Sequence, residues 1–158
     1  MKTKIEKFRS RFLQESLVQS LTTRGEYEML FNAFEETEID KLIEGNVFFS
    51  RTCSPSAIME LQNVPASDIM RLVTFEANYQ KLFLPEEVVG ILLHEIGHAF
   101  NSNIKGMTGE YMADNFAKTK GYAKWIVSGL KNGLKRGLIG FEKVSIDQRI
   151  EKLNEVKS

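Results

Sequence analysis

The chain has 158 residues, zero net charge, 42% apolar residues and three prolines, which suits one folded domain and argues against a disordered chain. Its single cysteine, Cys53, excludes an internal disulfide and points to a reducing compartment. The basic start Met1–Lys7 lacks the apolar stretch of a signal peptide, and no apolar run approaches the roughly 18 residues of a membrane span. A cytoplasmic protein is expected.

In chain order, Phe8, Phe12, Leu13, Leu17, Val18 and Leu21 recur at helical spacing and predict a first helix. Gly25 interrupts the pattern. Tyr27, Leu30, Phe31, Phe34, Ile39, Leu42 and Ile43 predict a second helix with an acidic outer face, ended by Gly45-Asn46. Val47–Ser50 reads as a strand, and Ile69–Phe75 with Tyr79–Leu84 as one or two more. Pro85-Glu86-Glu87 then starts a helix, because proline suits the first helical position and carboxylates favour the positive end of the dipole. Val88, Val89, Ile91, Leu92, Ile96, Ala99 and Phe100 make that helix apolar enough to be buried. Gly90 and Gly97 each cost up to about 1 kcal/mol inside it, so they imply close approach by another element.

A break over Asn101–Thr108 leads to a further helix, in which Ala113 and Ala117 form a strip for close packing. Between Asn115 and Lys143 seven basic residues face one acid, Glu142. Gly129, Gly133 and Gly137 recur there every fourth residue, each followed by leucine, with Trp125 and Phe141 flanking. This predicts a helix with a glycine groove, a leucine stripe and a cationic face. A packing helix with solvated lysines is the simpler reading; attachment to a membrane surface or an acidic partner is the other. No nucleic-acid module accompanies the charge, so no nucleic acid is expected as partner. The expected class is α+β: one domain over 1–158, mainly helical, with a small β-sheet. It has a helical part over 1–44, a β region and buried helix over 45–104, and further helices over 105–158.

The only two histidines stand four apart, in His94-Glu95-Ile96-Gly97-His98 on the buried helix. Residues four apart share a helix face, so both imidazoles can bind one metal ion, with Glu95 beside them as a base. Two buried, hydrogen-bonded core histidines are the bland alternative, but such a helix strands charge unless something binds it. A catalytic zinc takes three protein ligands and a water. With no histidine left and Cys53 distant, the third ligand is expected to be a carboxylate from Gly109-Glu110-Tyr111-Met112-Ala113-Asp114. Glu110 can coordinate while Asp114 hydrogen-bonds the free ring nitrogen of a histidine. The gap after His98 is short, so Asp114 is the alternative ligand.

HEIGHAF followed by EYMADNFA resembles the gluzincin zinc metallopeptidases. It is most similar to the HtpX-like and CAAX-protease-like peptidases, with the ImmA/IrrE group next. Ser145–Leu153 is similar to the closing R-I-x-x-L segment of HtpX-like peptidases, without the His-Pro that usually precedes it. The resemblance covers about Phe75–Leu153. It implies a zincin-like fold, zinc on His94, His98 and Glu110, and Asp114 in support. It further implies an edge strand before the active-site helix that takes extended substrate by strand addition, for which Tyr79–Leu84 is the candidate.

The expected activity is hydrolysis of peptide bonds in a protein or peptide. Zinc lowers the pKa of its water toward about 7, and Glu95 takes the proton and passes it to the leaving nitrogen. Tyr111, Tyr122 and Arg149 are candidates for the donor that steadies the oxyanion. Two other classes stay open: a regulatory metal-binding protein with no target or a single one, and a membrane-surface protein acting through the basic segment.

Overall fold

The computed structural model describes residues 3–52, 57–64, 67–138 and 143–155; Cys53, Phe141 and Glu142 lie outside them. The class is α+β, mostly helical with a small mixed sheet. The chain opens with α1 (Lys4–Phe12), α2 (Ser16–Leu21), α3 (Glu26–Ala33) and α4 (Glu36–Glu44). Apolar spacing predicts two helices here, and the structure corrects each to a pair. Glu15 is extended (φ −76°, ψ 136°). Its carboxylate holds Arg11 at 2.5 Å and accepts from the Phe49 N–H at 2.6 Å. Phe34 is likewise extended (ψ 144°), and the Glu38 side chain caps the backbone N–H of Glu35 at 2.7 Å. Periodicity misses these breaks because Phe8, Phe12, Tyr27, Leu30, Phe34, Ile39 and Leu42 still reach one core. The predicted stops hold at Gly25 (φ +81°) and Asn46 (φ +52°), in the left-handed region that glycine and asparagine tolerate.

The sheet consists of β1 (Val47–Thr52), β2 (Ala57–Val64) and β3 (Ser67–Glu76) in the order β1-β3-β2, with β1 parallel and β2 antiparallel to β3. Phe49, Val73 and Phe75 point into the core, while Met59 and Leu61 are 43% and 45% exposed. Its two edges are treated differently. Along β1, the Phe49 and Arg51 N–H groups donate to the side chains of Glu15 and Ser16. That caps the edge against strand pairing. The other edge is β2.

Tyr79–Leu84 is not a strand, contrary to the expectation. A short helix, α5 (Ala77–Gln80), follows β3 directly. The Arg24 guanidinium donates to the carbonyls of Gln80 and Phe83, the latter at 2.8 Å, so these acceptors are withdrawn from any ladder.

The remaining helices are α6 (Pro85–Phe100), α7 (Gly106–Thr119), α8 (Ala123–Lys135) and α9 (Lys143–Asn154). Pro85 opens α6, and Glu87 accepts from the Leu84 N–H (2.9 Å) and from Ser128 (2.6 Å). Helix α6 is central, packing on α3, α7, α8 and the sheet. Its glycines admit the neighbours: a Cβ on Gly97 would lie 2.7 Å from Ala113 Cα, and one on Gly90 3.5 Å from Ile126. On α8, Gly129 faces Ile91 of α6. Gly137 is not part of that groove. It stands beyond the helix at φ +67° and terminates it, with the Leu138 N–H on the Gly133 carbonyl at 2.9 Å. Several of the cations are used internally: Lys120 pairs with Glu38 at 2.7 Å, and Lys118 donates to the Lys152 and Glu155 carbonyls. Among the described residues, no helix is long and apolar enough to cross a membrane.

Gly97→Ala tests the α6–α7 approach. A methyl group gains up to about 1 kcal/mol of helix propensity. It meets backbone atoms of Ala113 at 2.7 and 3.0 Å that have no flexible end to yield. Overpacking of this kind costs about 1–3 kcal/mol. A lower denaturant midpoint at unchanged m-value is expected; an unmoved midpoint would mean that the two helices have room to part.

Candidate metal centre

His94 and His98 lie one turn apart on α6, and their Nε2 atoms approach to 3.1 Å with the ring planes 88° apart. Helix α7 starts at Gly106, earlier than the predicted break allows, so Glu110 sits one turn inside it. That short reversal brings Glu110 Oε2 to 3.4 Å from His94 Nε2 and Oε1 to 3.3 Å from His98 Nε2. Gly109 permits it: a Cβ there would lie 2.6 Å from the Ile104 carbonyl.

These separations test whether the group suits a cation. Ligand atoms about 2.0–2.1 Å from a tetrahedral zinc lie about 3.3 Å from one another. The two Nε2 atoms are 3.1 Å apart, and each faces its own oxygen of Glu110, His94 at 3.4 Å from Oε2 and His98 at 3.3 Å from Oε1, separations close to that value. Glu110 Oε2 is buried and accepts no hydrogen bond from the described residues, although Arg149 Nη1 is 2.8 Å away. The Arg149 guanidinium offsets part of that buried charge, and both imidazole Nε2 atoms face the same carboxylate. The group fits a metal ion, as a set of one buried and two half-buried ligands.

Asp114, one turn further along α7, lies on the other side of the imidazole. Its Oδ1 is 2.8 Å from His94 Nδ1, and it receives Arg149 Nε at 2.8 Å and Nη2 at 2.7 Å. Of the two candidate carboxylates, Glu110 is the one that faces both Nε2 atoms. Asp114 instead sets the His94 ring orientation, as a supporting carboxylate does. Arg149 comes from α9 and bridges the two acids.

The charges of this cluster are coupled. Burial works against a charged His94, but hydrogen bonds to Asp114 and Glu110 outweigh it and push the imidazole up to about 9. Burial also opposes ionisation of Glu110, yet His94 and His98 hold its carboxyl well below the usual range. For Asp114 burial is again outweighed, by Arg149 and then His94, and its carboxyl is lowered. A metal held by His94 would take the place of a proton on that imidazole.

The ligands open on a cleft of about 350 Å³, lined also by Glu95, Ile58, Glu60, Arg71, Ser102 and Lys105. Glu95 is only 8% exposed, and that exposure is toward the cleft. The three oxyanion candidates are scattered. Tyr111 borders a separate groove with Asn115 and Lys152. Tyr122 precedes α8 and packs against the core. Arg149 reaches the centre, but with its donors on Asp114 and Glu110. Sequence reasoning passed over Ile58, Glu60 and Arg71. Arg71 had a legible signal: it shares the inward register of β3 with Val73 and Phe75, where a charge needs a reason.

No family model matches the chain, and neither a curated protein nor a solved structure matches it.

Proposed function

We propose that the protein is a zinc-dependent endopeptidase with a zincin-like active site, similar in its ligand pattern to gluzincins. The observation that carries this reading is the convergence of His94, His98 and Glu110, whose ligand atoms lie within 4.8 Å of one another, with Glu95 opening on the same cleft. Two imidazole nitrogens and a carboxylate converging in this way suit zinc. When bound, the ion supplies Lewis-acid polarisation of a carbonyl and a water of lowered pKa.

The chain's own residues do the rest. Glu95 takes a proton from the attacking water on its carboxylate and delivers it to the amide nitrogen as the C–N bond breaks. Asp114 holds the His94 ring through Nδ1, and Arg149 holds Asp114 and Glu110. The β2 edge beside α6, which no side chain caps among the described residues, is the place for an extended peptide, in the role expected of Tyr79–Leu84.

The experiment is metal removal and return. The purified chain, stripped with a chelator and reloaded with zinc, is incubated with a broad peptide library. Cleavage that vanishes on stripping and returns with zinc is expected. A zinc-loaded, folded protein that cleaves nothing would overturn the reading.

A further inference from the structure

Resting on the peptidase reading, we infer that the cleft selects a carboxylate on its peptide, either an acidic side chain or a free C-terminus, through Arg71 and Lys105. Apart from the ligands and Glu95, the charged groups lining the cleft are Glu60, Arg71 and Lys105. The two acids Glu95 and Glu110 offset a divalent ion, which leaves two cations against one carboxylate.

Arg71 is built into the wall rather than waving in solvent. Nη1 donates to the Gly45 carbonyl and Nη2 to Ser102 Oγ, both at 3.1 Å. A guanidinium anchored in this way loses little freedom when it meets a ligand. Its Nε is buried and makes no hydrogen bond among the described residues; Glu60 Oε2, its cross-strand neighbour, lies 3.3 Å away outside hydrogen-bond geometry. Arg71 and Glu60 therefore offset one another across the two strands, which leaves Lys105 as the cation in excess beside the anchored guanidinium. A basic substrate residue finds no free acid here among the described residues outside the metal centre. Lys105, at the N-cap of α7, is exposed and has no ion-pair partner among the described residues. A peptide added along β2 turns alternate side chains toward this pair of cations.

The test uses three fluorescent peptides of equal length: one with an internal glutamate and an amidated end, one neutral with a free C-terminus, one neutral and amidated. Cleavage is followed with the zinc-loaded full chain, and binding by anisotropy with zinc-loaded Glu95→Gln. One of the two carboxylate peptides should be preferred about tenfold over the neutral amide, and Lys105→Glu should lower that ratio about tenfold. Preference for the internal glutamate assigns the site to a side chain; preference for the free end assigns it to a C-terminus. Equal handling of all three, or a ratio that Lys105→Glu leaves unmoved at an unchanged melting temperature, overturns the inference. Cleavage without charge preference sinks this inference and leaves the hydrolase standing. Charge-selective binding with no cleavage by the wild-type chain does the reverse.

Discussion

Glu95→Gln should keep its zinc and lose peptide hydrolysis by about 10²–10⁴-fold, the range for a removed general base. Glu95 is not among the three residues whose ligand atoms converge, so the metal has no reason to leave. Glutamine has the shape of glutamate, so the cleft keeps its form, but an amide cannot take up the proton of the attacking water. Metal analysis alongside turnover reads the two effects separately. Retained turnover would remove Glu95 as the base. Joint loss of metal and activity would make it part of the metal site instead.

Arg149→Met is expected to destabilise the protein by about 3–5 kcal/mol, the cost of stripping one partner from a buried ion cluster. Arg149 is 4% exposed, and its three nitrogens reach Asp114 at 2.8 and 2.7 Å and Glu110 at 2.8 Å. Without it Asp114 keeps only His94, and its carboxyl rises. The sign follows from linkage: a carboxylate lowered in the folded state contributes stability above its unfolded value near 3.9, lost as pH falls. The variant should lose part of that contribution, so its stability deficit narrows toward acid. Zinc affinity should fall about 10–100-fold, because the His94 ring and Glu110 lose their support. Arg149→Lys should restore only a part, since one ammonium cannot grip both oxygens of Asp114. Wild-type stability and zinc affinity in Arg149→Met would show that the bridge is incidental.

The two histidines, the glutamate between them and the apolar helix that carries them were legible because all depend on a local period. One turn of helix fixes which residues share a face, whatever the rest of the chain does. Gly90 and Gly97 were legible for the same reason, as vacancies in a pattern of bulky side chains. The breaks at Glu15 and Phe34 were not. Each is fixed by side-chain bonds, including a β1 N–H thirty-four positions away from Glu15, and the apolar period runs through them undisturbed. The Tyr79–Leu84 segment departs from the strand expectation because α5 and the distant Arg24 take up its backbone, which β-propensity does not report.

What lies within a few residues was thus written in the chain: two histidines able to share a metal ion, a glutamate beside them, a buried helix and its capping. Glu110 rather than Asp114 faces both Nε2 atoms because the turn at 101–105 is short and α7 starts at Gly106. Arg149 joins the centre, and β2 becomes its open edge, through packing across distances that no periodicity spans. Helical repeat reports the face a residue occupies; only the closure of α6 on α7, α9 and the sheet settles what that face meets, because burial makes unpaired charges too costly to leave apart.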